Sequence, residues 1–168
     1  MDLSYSPEHE AFRAEVRGFL KTHGAQAPRG GGPEAMAWQK LLIAHGYAAR
    51  TIPKAYGGFG AEPDILQSRI ISEEFSRAQV STGLGGQGIS MLVPTLLEMG
   101  TEAQKLAFIG PTLRGEMVWC QGYSEPNAGS DLANLATRGT LDGDDWVING
   151  QKIWTSTAHL ADWIFCLV

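Results

Sequence analysis

Apolar positions recur at helical spacing as far as about residue 115, and from Met117 onward they fall into short strand-like runs separated by turn residues. The first helix starts at Ser6-Pro7-Glu8, where Ser6 caps, Pro7 suits the first helical position and Glu8 complements the positive end of the helix dipole. Phe12, Val16, Phe19 and Leu20 form its apolar stripe, and Gly24 ends it. A glycine-rich connector over residues 25–33, expected to be mobile, leads to a second helix from about Glu34 that presents Trp38, Leu41 and Leu42 and stops at Gly46. Residues 51–60 hold too much proline and glycine for either regular structure. A third helix, from about Asp64 to Arg77, carries Leu66, Ile70, Ile71 and Phe75. Its neighbouring Glu73 and Glu74 point about 100° apart, so they read as a solvated face and not as a pair sharing a proton. Ile89, Leu92, Val93, Leu96 and Leu97 make a fourth stripe, with Pro94 either kinking it or lying in its first turn. Thr101-Glu102-Ala103-Gln104 is a capping box, and Leu106, Ile109 and Leu113 face the core from a fifth helix that ends by Gly115.

Strand-like runs follow at Met117 to Gln121, Thr137 to Leu141, Trp146 to Ile148, Gln151 to Ser156 and Trp163 to Val168. Asp142-Gly143 and Asn149-Gly150 are hairpin signals, and the second would set two strands in direct antiparallel register. The expected class is α+β: an N-terminal all-α helical domain over residues 1–116, then an incomplete antiparallel β-domain over residues 117–168. A small sheet ending in the apolar run at Val168 would keep a bare edge, which leads us to expect the N-terminal portion of something longer.

Composition narrows the function classes. With 43% hydrophobic and 18% charged residues, the 168-residue chain is an ordinary folding sequence, and its formal net charge of -5, without any Lys/Arg cluster, argues against nucleic acid as a partner. Cys120 and Cys166 both sit in apolar runs and read as buried thiols, which suits a reducing compartment. Met1-Asp2-Leu3-Ser4 lacks the features of a signal peptide and no apolar run approaches the ~20 residues of a membrane span, so a cytoplasmic location is expected.

Candidate chemistry centres on Trp119 to Asp131, where a buried strand end breaks into a polar loop whose hydroxyls and free amides suit a large polar ligand. Asn149 to Ser156 reads as its partner, returned beside it by a hairpin turn. Gly83-Leu84-Gly85-Gly86-Gln87-Gly88 matches the dinucleotide pattern G-x-G-x-x-G, but no hydrophobic strand precedes it, and it reads better as a close-packed helix start. Glu125, before Pro126, reads as a structural carboxylate bonding nearby amides. His159 and Asp162 have helical spacing but no third ligand, so no metal site is expected.

Four segments, Tyr56-Gly57-Gly58-Phe59-Gly60, Gly100-Thr101-Glu102-Ala103-Gln104-Lys105, Ser124-Glu125-Pro126-Asn127-Ala128-Gly129-Ser130-Asp131 and Asn149-Gly150-Gln151-Lys152-Ile153-Trp154, give the chain a resemblance to the acyl-CoA dehydrogenases over nearly its whole length. Within that family it looks most like bacterial members acting on bulky acyl groups, including the steroid side-chain branch. The resemblance implies an FAD-dependent oxidoreductase that introduces an α,β double bond into an acyl-CoA thioester and passes electrons to an electron-transfer flavoprotein or similar acceptor. It implies a helical domain, a middle β-domain and a C-terminal helical bundle, the last absent here, and a homo- or hetero-oligomer. By the same resemblance Tyr123 and Ser124 lie at the flavin's pyrimidine side, Trp154, Thr155 and Ser156 along its other flank, and Ser130 at the thioester ligand or the cofactor. Asp131 would cap the following turn. Thr155 and Ser156 depart from the family's usual aliphatic residue and threonine, though Ser156 keeps the hydroxyl. The family's catalytic glutamate comes from the C-terminal domain, so no catalytic residue is expected in this chain, which alone would be inactive. Two alternatives remain: a non-catalytic partner subunit of a heteromeric dehydrogenase, and a flavin-dependent acyl-CoA oxidase relative.

Overall fold

Ser6 does cap the first helix: its hydroxyl accepts the His9 N–H at 3.3 Å, Pro7 opens α1 (Pro7–His23), and Gly24 closes it. The structure, a computed structural model, describes residues 5–168, so the opening Met1-Asp2-Leu3-Ser4 lies outside the described residues. Helix α2 (Pro33–Ala44) follows a Gly32 held at φ 88°, and α3 (Ile65–Ala78) is capped by Asp64, whose carboxylate accepts the Gln67 N–H at 2.9 Å. The apolar stripes of the first three helices meet in one core of Val16, Phe19, Leu20, Trp38, Leu42, Ile70, Ile71 and Phe75, whereas Leu66 and Leu106, also expected on apolar faces, are exposed. Phe19 sits at its centre, with the rings of Tyr47 and His45 at 4.6 and 4.9 Å.

Glu74 corrects the solvated-face reading. It is 2% exposed and accepts from Arg13 at 2.6 Å and from Arg17 through two bonds at 2.8 and 3.0 Å. Arg13 and Arg17 lie one turn apart on α1, so both reach the same carboxylate on α3, and the Arg17 bond with that from Arg13 draws its pKa down to about 2. Glu73 meets the same Arg13 Nη1 at 3.0 Å and also Arg69 at 2.8 Å, so the two neighbouring carboxylates share one guanidinium although they share no proton.

Pro94 enters the first turn of α4 (Val93–Met99), directly after a π-turn at Gly88–Leu92 in which the Val93 N–H reaches back to the Gly88 carbonyl. Proline has no N–H to donate and its ring crowds the carbonyl four residues back, and the wider turn relieves that conflict. Helix α5 spans Glu102–Leu113.

The β-region departs from expectation in its pairing. Strand β1 (Trp119–Gly122) pairs in parallel with β4 (Trp163–Cys166), and β2 (Arg138–Asp142) pairs antiparallel with β3 (Asp145–Asn149) across the turn residues Gly143 and Asp144. Among the described residues these are two separate two-stranded sheets, not one antiparallel sheet. Asn149-Gly150 makes no hairpin, and Gln151 to Ser156 is not a strand. Gly150 lies flat against Thr137, where a β-carbon would collide, and the Ile153 N–H is taken by the Ser124 carbonyl at 2.8 Å, so the chain continues toward the loop after β1. The α+β class stands.

By contacts the chain divides into two units. One takes in residues up to Leu84 with Glu102–Glu116; the other joins Gly85–Thr101 to Met117–Val168. Among the described residues no helix is long and apolar enough to cross a membrane, and both cysteines are free, Cys120 buried and Cys166 half-buried.

Candidate functional site

Strand β1 delivers the loop at residues 123–131. At Gly122 a side chain would press on Cys166 and Ile164 of β4, each 3.0 Å from a β-carbon, so glycine lets the two strands meet where the loop begins. The Glu125 N–H then donates to the Ala128 carbonyl at 2.8 Å and the Ala128 N–H returns to the Glu125 carbonyl at 3.1 Å, closing a tight turn over Pro126 and Asn127. Inside it the Glu125 carboxylate, 7% exposed, accepts from Lys152 Nζ at 2.8 Å, the Ala136 N–H at 2.6 Å and the Thr137 N–H at 2.9 Å. The Lys152 bond, then those to Thr137 and Ala136, draw its pKa down to about 2. Glu125 is therefore the structural carboxylate expected, charged through the neutral range and committed to three donors.

Lys152 does a second job. Its ammonium donates to the Tyr123 carbonyl at 3.1 Å, and next to it the Ile153 N–H donates to the Ser124 carbonyl at 2.8 Å. The stretch at 149–156 thus does come beside the first, through these bonds and not through a hairpin. Tyr123, Ser124, Trp154, Thr155 and Ser156 fall within this stapled pair of segments. The Tyr123 ring is half-buried and meets Phe165 edge-on at 5.7 Å. Trp154 stands 83% exposed on a backbone at φ 56°, and the Ser156 N–H bonds back to its carbonyl at 2.9 Å. A left-handed tryptophan with its ring mostly in solvent costs conformational energy with little burial to offset it. Among the described residues the hydroxyls of Ser124, Thr155 and Ser156 bond to no protein group, so three donors and one large ring are available together.

Other sequence candidates are not drawn in. Ser130 is exposed, with no hydrogen bond tying it to either segment. Asp131 occupies the cap position of a 3-10 turn at Leu132–Asn134, but its side chain accepts no bond there, which corrects the capping role. Asp162 accepts the Val118 N–H at 2.9 Å ahead of β1, His159 is exposed in a separate turn, and no metal-binding group of three or more side chains occurs among the described residues. Sequence reasoning missed two contacts. Lys152 lies within one of the segments that carry the resemblance, and nothing local in its sequence shows that its side chain, 10% exposed, would be paired with Glu125. Gln87 accepts the Gln121 N–H at 3.1 Å, a contact across 34 residues with no local signal.

Two family profiles cover most of the chain: "Acyl-CoA dehydrogenase, N-terminal domain" over residues 6–116 and "Acyl-CoA dehydrogenase, middle domain" over residues 120–168. Acyl-CoA dehydrogenase IpdE1 of Mycobacterium tuberculosis is 44% identical over 171 residues, matching 94% of this chain and 44% of its own length. Among solved structures, the ChsE4-ChsE5 complex of Mycobacterium tuberculosis superposes with a TM-score of 0.70 at 32% identity, over 100% of this chain and 44% of the other. The Tcur3481-Tcur3483 steroid ACAD gives 0.68 at 35% identity, over 99% and 44%. This chain therefore spans less than half the length of these relatives.

Proposed function

This chain belongs to the acyl-CoA dehydrogenase family, and from that premise we propose that it supplies the helical domain (residues 1–116) and the flavin-facing start of the β-domain (residues 117–168) of an FAD-dependent enzyme that desaturates an acyl-CoA thioester. FAD, when bound, supplies the acceptor for the hydride leaving the β-carbon. The residues present fit such a group: a flat ring system with a polar edge finds the exposed Trp154 indole and the unpartnered hydroxyls of Ser124, Thr155 and Ser156. Tyr123 and Ser124 would hold one edge of the group, Trp154 to Ser156 its other flank, and Ser130 would meet the thioester ligand or the cofactor. Hydroxyls carried on a backbone held by the Lys152 and Ile153 bonds would need little reorganisation as charge develops on such a group. Glu125, saturated by three donors, takes no α-proton, and proton abstraction is assigned to no residue of this chain.

The observation that carries the reading is the staple from Lys152 to Glu125 and the Tyr123 carbonyl, which holds the two halves of the site at fixed separation. A second reading concerns assembly. One of the solved relatives is the ChsE4-ChsE5 complex, which supports a heteromeric enzyme in which this chain pairs with a different subunit, and the steroid relative supports a bulky acyl group. The test is to titrate the purified chain with FAD and then add acyl-CoA under anaerobic conditions. We expect weak FAD binding, lost in Trp154→Ala, and no bleaching of the flavin band. Bleaching by acyl-CoA would overturn the division of labour, and failure of FAD to bind would overturn the cofactor assignment.

A further inference from the structure

The glycine run at residues 83–88 has no part in the site so far. Its residue Gln87 opens the π-turn at Gly88–Leu92, and the side-chain oxygen accepts the Gln121 N–H at 3.1 Å. Gln121 lies in β1, two residues before Tyr123, and its ladder partner on β4 is Phe165. The amide that Gln87 takes is one the ladder does not use, on the outer edge of the strand, where a bare N–H would be open to water or to another chain. Gln121 is not held there by its own side chain, whose oxygen is buried without a partner. Gly88 is itself buried, and the wide turn built around Pro94 is what sets Gln87 at this point of the chain.

We propose that Gln87 is a positioning residue for the flavin site: by holding the Gln121 amide it fixes β1 against the π-turn and so sets where Tyr123 and Ser124 present their polar groups. The inference rests on the reading of Tyr123 and Ser124 as flavin contacts. Two substitutions separate the acceptor from the bulk of the side chain. Gln87→Leu keeps the volume and removes the acceptor; Gln87→Glu keeps an acceptor oxygen. Three quantities are measured in each: hydrogen exchange at the Gln121 amide in the flavin-free chain, FAD affinity, and the midpoint of denaturant unfolding. In Gln87→Leu the Gln121 amide exchanges about fivefold faster or more, as loss of one hydrogen bond implies, FAD binds correspondingly more weakly, and the unfolding midpoint barely moves. Gln87→Glu restores both exchange and affinity. Unchanged exchange in Gln87→Leu would refute the bond itself, and faster exchange with unchanged FAD affinity would refute the positioning role. If exchange responds as stated but the unsubstituted chain binds no FAD, the flavin reading has failed and the latch is structural only.

Discussion

Glu125 and Glu74 are carboxylates that a sequence shows only as charges, and each is sealed in a set of donors. In the unfolded chain both titrate near the ordinary glutamate value of about 4.3, whereas the folded protein holds each near 2. Because the folded values are depressed, the stability they contribute is complete above about pH 4.5 and is lost as pH falls toward 2. A urea midpoint measured against pH should therefore be flat from pH 5 to neutrality with respect to these groups and decline below about 4.5. In Glu125→Gln, Lys152 loses its counter-charge, and we expect faster exchange of the Ile153 amide and weaker FAD binding even at pH 7. Gln121 runs the other way: its oxygen is a buried acceptor with no donor, so Gln121→Met should stabilise the chain by about 1 kcal/mol in denaturant unfolding. The cap at Ser6 and the structural role of Glu125 were legible from residue type and neighbours. Glu74 was not, because its burial is decided by two arginines on another helix.

At the scale of elements, α1 and α3 are joined by packing and by that ion-pair cluster. Glu74→Ala removes the shortest carboxylate contact of the buried Arg13, which keeps Glu73 at 3.0 Å, and should cost about 2 kcal/mol, read from the shift in the unfolding midpoint. Helical periodicity identified the five α-helices of the described residues, since each buries one face and repeats that face in sequence. The turn at Gly143 was equally legible, its glycine at φ 64° sitting where the Asp-Gly signal placed it. Asn149-Gly150 carries the same kind of signal and makes no turn, because Thr137 and the Ser124 carbonyl, both distant in sequence, fix the path there. The parallel pairing of Trp119 with Trp163 spans 44 residues and likewise leaves no trace in local alternation. Gly150→Ala should accordingly lower the melting temperature, since its new methyl group meets Thr137, while substitution at the open position Gly129 should not.

For the whole molecule, the order of helices before strands and the four family segments were readable in the sequence, and the family follows from the comparisons over residues 6–116 and 120–168. What local patterns did not show is how the candidate site is held: a lysine–glutamate staple and a side-chain latch join segments that lie far apart along the chain. We propose that Tyr123, Ser124, Trp154, Thr155 and Ser156 form one flavin-binding surface. An amide-resolved NMR titration of the 168-residue chain with FAD tests it most directly. Saturable shifts are expected at residues 121–125 and 152–157, with Ser130 unmoved until an acyl-CoA is added. Shifts centred elsewhere, or none in these two segments at saturating FAD, would contradict it.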